Sequence, residues 1–432
     1  MTVALSVSAR PTFGQMLRFS APAFAIHAFG LPLMVYLPAY LAETTTISIA
    51  LIGIAFMSVR VIDMALDPLI GAMIDRTRTR WGAFRPWLAA SVPMLLLLVQ
   101  GLFFADQGLS RTMLWVWLAI GFIGYSVIVL SHLAWASTVS DDAQGRTRVF
   151  AWWQIFASLG QLTVLAIPPI LLWLTDGKLV DAVRVIGIAL LLIVPACVVL
   201  ALTAMPERPP SQARANSLRD YIGLLVQRRV WKILLADLAL GLTVGVSNTV
   251  AVFFFTRTLG LSASVATTLI MAQNVMALIG TPLLARLAIR FGNARSLTLA
   301  AVAYALAQSA YLLVPPGSPA LAAIPALICG LFLPVTTFMP RVMMAEIAES
   351  EREKTGVNQS GLLYSMLNGT MKLAIGLSVG LAFSTLAVLG FEPANPVTPQ
   401  GAAALRNLMA LAPAGLLVFT ALVMRTYDPG QR

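Results

Sequence analysis

Apolar runs of about twenty residues, each closed by a short polar stretch, follow one another from Arg18 to Arg425. That is the length a helix needs to cross the hydrocarbon core of a bilayer. Within each run the apolar residues are continuous, unlike the short alternating segments of a transmembrane barrel. A ~19-residue window predicts about twelve spans, near 18–42, 48–74, 86–106, 112–137, 149–175, 182–205, 231–257, 263–290, 296–315, 319–345, 359–390 and 402–425. The pattern predicts an all-α membrane protein with almost no soluble part.

The polar stretches organise these spans. The longest, "PERPPSQARANSLRDYIGLLVQRR", follows the sixth span and divides the chain into residues 1–205, a linker at 206–230, and residues 231–432. The loops after spans two and eight are both brief and basic, "DRTRTRWGAFR" and "ARLAIRFGNARS". A half-to-half echo of this kind predicts a transporter of two six-helix bundles with the substrate between them.

Composition sharpens the picture in two places. Only 11% of residues are charged, against about a quarter in soluble domains. The net charge of +11 invites a nucleic-acid reading, but the cations fall mainly in loops of one parity, Arg341 among them. Only Arg111, Lys178, Arg184, Arg257 and Arg406 fall on the other side. This is the bias that sets topology, and it predicts cytoplasmic termini. Residues 1–14 lack the apolar core and cleavage site of a signal peptide. Cys197 and Cys329 each lie alone in an apolar run, match no metal spacing, and read as packing residues.

Ionisable residues inside a span cost free energy and are kept where they work or pair. The candidates are His27, Arg60, Asp63, Asp67, His132, Asp237 and Lys372. Asp63 and Asp67 have i,i+4 spacing and share one helix face. Two carboxylates so close in low dielectric predict either a shared proton or a bound cation. Arg60, one turn earlier, could neutralise one of them. Pro68 removes a backbone N–H and frees the Met64 carbonyl beside the acids. The alternative is a purely structural salt bridge among Arg60, Asp63, Asp67 and Lys372. Gly361, Tyr364, Asn368 and Lys372 form a small and polar stripe that should face the bundle interior or a cavity. His27 could contact substrate or proton, or could be a satisfied hydrogen-bonding residue. His132, Trp135, Trp152, Trp153 and Gln154 are weaker candidates, and Asp237 sits near enough to the cytoplasmic headgroups to be set aside.

The stretch "DMALDPLIGAMIDRTRTRWGAFRPW" (63–87) resembles the glycoside–pentoside–hexuronide:cation symporter family, the melibiose-permease-like branch of the major facilitator superfamily. "DDAQGRTRVFAWW" (141–153) and "AEIAESEREKTGVNQSGLLYS" (345–365) resemble two further loops of that family, in the same order and spacing. The resemblance implies the major facilitator fold and secondary transport. It implies that Asp63 and Asp67 form the cation site and that Lys372 couples that site to substrate; Ser126 and the Met64 carbonyl are the further oxygens this sequence offers a cation there. Asp75 and Arg76 match the cytoplasmic gate motif; the matching acid position in the second half is Ile289, so the charged gate is one-sided. Positions that hold sugar through charged side chains in the melibiose permeases are here His27, Val129 and Gln154. The residue before the second acid, usually polar in the family, is Leu66, which disfavours Na⁺ more than H⁺, because Na⁺ wants several oxygen ligands.

The expected function is cation symport, H⁺ rather than Na⁺, of a small solute such as a glycoside, by alternating access in a bacterial inner membrane. Candidate substrate contacts are His27, His132, Gln154, Tyr364 and Asn368, with Lys372 and Arg60 coupling. No cofactor, no resident metal beyond a possible Na⁺ at the acids, and no nucleic-acid partner are expected, and the chain is expected to be a monomer. Two alternatives are a carrier of an amphipathic or lysophospholipid-like solute and, remotely, an intramembrane Mg²⁺-dependent prenyltransferase. The latter would need two acid clusters, and the chain has one.

Overall fold

The computed structural model describes residues 12–140, 142–174, 179–205, 207, 223–224, 226–356, 359–388 and 398–427. Most of the linker expected at 206–230 lies outside them. Among the described residues twelve helical rods follow one another: α1 (residues 13–44), α2 (Ile49–Arg76), α3 (Arg85–Phe103), α4 (Arg111–Thr138), α5 (Ala143–Leu174), α6 (Leu179–Leu202), α7 (Arg228–Thr258), α8 (Ala263–Phe291), α9 (Asn293–Leu313), α10 (residues 319–355), α11 (Ser360–Val388) and α12 (Pro399–Arg425). Nine rods among the described residues are long and apolar enough to cross a membrane.

Side-chain caps start several rods. Thr12 makes a reciprocal capping box with Gln15, and Ser48, Ser110, Ser262 and Thr398 each accept a backbone N–H three residues on. These bonds satisfy donors that a helix start leaves without partners. Rods α1, α3 and α7 each contain a π-helical turn near the end away from the cytoplasm, at Pro32–Tyr36, Val99–Phe103 and Phe254–Thr258. Pro68 does not break α2, which stays α-helical from Ile49 to Arg76. The expected loosening of the helix at the acids is therefore confined to the single bond that proline removes.

The packing repeats with a shift of six. Rod α1 packs on α5 and α6, and α7 packs on α11 and α12. Likewise α2 packs on α4 as α8 does on α10, and α3 on α4 and α6 as α9 does on α10 and α12. Two long seams join the halves, α2 against α11 and α5 against α8, and these too exchange under the same shift.

The outer face of α2 is apolar while its carboxylates are buried. Rod α2 exposes Ile54, Met57, Val61, Leu69 and Met73, and buries Asp63, Asp67 and Asp75. An apolar face toward lipid and carboxylates turned inward is the arrangement a bilayer imposes.

Candidate cation and substrate site between the halves

The α2–α11 seam is built for close approach. A Cβ on Gly71 would lie 2.5 Å from the Gly361 carbonyl oxygen, and one on Gly361 would lie 2.5 Å from that of Gly71. Small residues at this crossing let the two backbones meet. One turn further along α2, Asp75 accepts the backbone N–H groups of Gly361 at 2.8 Å and Leu362 at 2.9 Å. The carboxylate of one half thus caps the helix start of the other, where the helix dipole favours negative charge. Arg76 beside it is exposed.

Deeper in the seam, Asp63, Asp67 and Lys372 meet, each at most 5% exposed. Lys372 Nζ lies 2.5 Å from Asp63 Oδ2 and 2.8 Å from Asp67 Oδ2, so one ammonium pairs with both acids. Ser126 on α4 donates to Asp63 Oδ1 at 2.6 Å and accepts from Lys372 at 2.9 Å. Asn368, one turn before Lys372, donates to Asp67 Oδ2 at 2.7 Å. Asp67 Oδ1 is buried and has no hydrogen-bond partner. Two carboxylates and one ammonium leave an uncompensated negative charge in low dielectric, so the cluster favours uptake of one further cation. Among the described residues no group of three or more His, Cys, Asp and Glu is placed to hold a metal ion.

Several side chains fall elsewhere than expected. The Arg60 guanidinium lies over the Phe122 ring, 5.7 Å from its centroid, and makes no ion pair with either acid. A spacing of three placed it near Asp63 along the sequence, but its long side chain leans toward α4. Asn368, expected to contact substrate, belongs to the acid cluster. His132 is fully buried, with Nε2 bonded to the Phe19 carbonyl at 2.9 Å and Nδ1 accepting from Trp153 Nε1 at 3.2 Å. Both ring nitrogens are occupied, so His132 braces α1, α4 and α5 and offers a solute no polar atom. Tyr364 is buried, and its hydroxyl donates to the Arg341 carbonyl at 3.0 Å. Gln154 accepts from Thr337 on α10 at 2.6 Å, a polar strut between the halves.

One residue that the charge pattern assigned to the cytoplasmic side sits inside. Arg341 on α10 is half-buried, its guanidinium 4.8 Å from the centroid of the Trp153 ring. His27 on α1 meets the same indole edge-to-face at 5.2 Å. His27, Trp153, Gln154, Thr337 and Arg341 therefore converge from α1, α5 and α10. The signal in the sequence was the run after Arg341: Val342, Met343, Met344 and Ala345 are all fully buried, so the span continues past the arginine.

The arrangement of the helical rods has a counterpart among known proteins. A family model described as MFS/sugar transport protein matches residues 18–429. The chain belongs to that family. It is 25% identical over 374 residues to the isoprimeverose transporter of Lactiplantibacillus pentosus, covering 82% of this chain and 76% of the relative. It is 22% identical over 402 residues to a glucuronide carrier protein homolog of Escherichia coli, covering 91% and 87%. The crystal structure of the major facilitator transporter FucP in its outward conformation superposes with a TM-score of 0.71 at 13% identity, covering 96% of this chain and 99% of that one. The major facilitator fold, the multi-pass membrane location and the symporter branch expected from the three loop motifs are those of this family. Members are transporters, and the prenyltransferase alternative falls with that.

Proposed function

We propose that the chain is a proton-coupled symporter of a small sugar derivative in the bacterial inner membrane. One observation carries the coupling: Lys372 joins both acids across the α2–α11 seam while a buried oxygen of Asp67 stays without a partner. The lysine ties the halves together when no coupling cation is bound. A proton on Asp67 removes one charge, weakens the hold of Lys372 and Asn368, and frees the seam to move. A ligand shifts such an equilibrium only by its differential affinity for the two states, and the acid pair supplies that difference.

Protons are favoured over Na⁺ on donor count. A hard cation wants several oxygens at once, yet three of the four carboxylate oxygens already accept from Lys372, Ser126 or Asn368. Leu66 adds no oxygen between the acids. A proton needs one carboxylate. Asp75 and its hold on α11 form the cytoplasmic latch, which opens when the halves rock apart. The sugar reading is supported by the family description and by the names of the relatives. It is also supported by the polar side chains around Trp153, which suit a hydroxylated ring better than an acyl chain.

The test is uptake into proteoliposomes of purified protein, with an imposed inward proton gradient and no Na⁺. Accumulation of isoprimeverose or an aryl glycoside supports the reading. Transport that ignores the pH gradient and returns with Na⁺ refutes proton coupling.

A further inference from the structure

We propose that two adjoining cavities at the cytoplasmic end of the second half form a site for an anionic phospholipid of the inner leaflet, and that its headgroup helps hold the cytoplasmic side closed. The lipid is a bound regulator rather than a cargo, so the site stands apart from the choice of solute and coupling ion.

The inner cavity, of about 670 Å³, lies where the halves meet beside the α5–α8 seam. Arg146 at the start of α5 lines it from the first half, and Arg229 on α7, Arg295 on α9 and Glu346 on α10 line it from the second. The outer cavity, of about 460 Å³, is a groove between the start of α9 and the end of α12, lined by Arg295, Thr298, Leu299 and Arg425 among others. The two share Ala294, Arg295 and Tyr427.

Charge decides what such a space takes. Arg229 is bonded to Glu351, which Lys354 also approaches at 3.7 Å. Glu346 accepts from Asn293 at 2.7 Å and is close enough to Arg146 to feel its charge. Arg295 and Arg425 are exposed and, among the described residues, make no ion pair. The cations therefore outweigh the acids, and the surplus sits at the groove. The start of α9 adds to it. The cap residue Gly292 offers no side chain to the first N–H groups of that helix, and Gly292, Asn293 and Ala294 line the inner cavity. A helix start of this kind favours an anion. At the same end Asn293 Oδ1 and Ser296 Oγ are buried without a hydrogen-bond partner among the described residues.

Shape favours a lipid over a free anion. Leu299, Val302 and Leu306 are exposed at spacings of three and four along α9, so one apolar stripe leads from Arg295 into the bilayer. A phosphate at Arg295 and Arg425 leaves an acyl chain on that stripe, which a water-soluble phosphate ester would not use. Basic pockets between helices on the cytoplasmic side suit anionic headgroups. A headgroup that reaches the inner cavity touches Arg146 of one half and the arginines of the other, and loses one of them when the halves rock apart.

The experiment measures binding to delipidated full-length protein by native mass spectrometry. The probes are phosphatidylglycerol, phosphatidylcholine with the same acyl chains, and glycerol 1-phosphate. An arginine near an anionic surface is worth about fivefold, so wild type should prefer phosphatidylglycerol to phosphatidylcholine by at least tenfold. Arg295→Gln with Arg425→Gln should bring the two lipids close to parity. Both side chains are exposed, so the pair should fold. Arg80→Gln with Arg148→Gln, which removes the same charge from exposed positions elsewhere on the cytoplasmic side, should keep the preference. Equal binding of the two lipids by wild type, a preference that survives Arg295→Gln with Arg425→Gln, or an equal loss in the control pair overturns the site. Binding of glycerol 1-phosphate as tight as that of phosphatidylglycerol overturns the lipid and leaves a free phosphate ester as the occupant. Accessibility of a cysteine at the α2–α11 seam, read in liposomes with and without phosphatidylglycerol, tests the closing role. It should fall with the anionic lipid in wild type and respond less in Arg146→Gln; no change in wild type overturns that role. None of these failures touches the sugar or proton reading.

Discussion

Two seams join the halves of this protein, and they are equivalent by the six-rod repeat yet chemically opposite. The α2–α11 seam carries Asp63, Asp67, Asp75, Asn368 and Lys372. In the α5–α8 seam neither helix contains a single carboxylate, so no ion pair between them is possible. A buried ion pair is an uncertain source of stability, because desolvation offsets much of the attraction. Placing every carboxylate on one of two otherwise equivalent seams is therefore better explained by switching than by stability. One seam responds to cation binding; the other lets the halves rock while keeping apolar contact.

Breaking the charged seam at its centre should have the largest effect. Lys372→Ala leaves two buried acids without a cation and should lower stability by about 3–5 kcal/mol, the range for one partner removed from a buried pair. Thermal unfolding in detergent measures this. The double variant Asp63→Asn with Lys372→Ala should recover much of it while accumulation stays lost, which separates coupling from folding.

A bulkier side chain at the crossing should come next. Gly361→Val forces a branched side chain against the Gly71 carbonyl and should weaken the closed seam by about 1–3 kcal/mol, as overpacking usually does. The readout is cytoplasmic accessibility of a cysteine placed at the seam, which should rise. A bulky residue that leaves accessibility unchanged would mean the seam is not closed by this contact.

The latch should give a smaller change. Asp75→Ala removes the cap of α11 and should destabilise the closed cytoplasmic side by about 0.5–2 kcal/mol, raising accessibility without abolishing binding. Smallest is Gln154→Leu, which breaks the strut to Thr337 beside Arg341, away from the acid cluster and the Asp75 latch. One neutral hydrogen bond is worth about 1 kcal/mol, and coupling should persist with a modest change in rate.

The helical plan was readable because span length and loop charge follow directly from the bilayer. The acid pair was readable for the same reason: carboxylates a turn apart in an apolar helix stand out against their surroundings. What the acids touch was not readable. Arg60 is three residues from Asp63 and looked like its partner, while Lys372, far along the chain, is the residue that reaches it. Such pairings depend on how two halves dock. Arg341 was placed among the loop cations by the charge pattern, and only the packing of α10 puts it against Trp153. His132 looked available because its saturation comes from Phe19 and Trp153 on other rods.

The most direct measurement of seam-based coupling compares wild type and Asp67→Asn in proteoliposomes without Na⁺, recording both gradient-driven accumulation and substrate exchange at zero gradient. Wild type should accumulate solute when a proton gradient is imposed, and Asp67→Asn should exchange solute but not accumulate it. Accumulation by Asp67→Asn at the wild-type level would show that the acid pair between α2 and α11 is not where the cation acts.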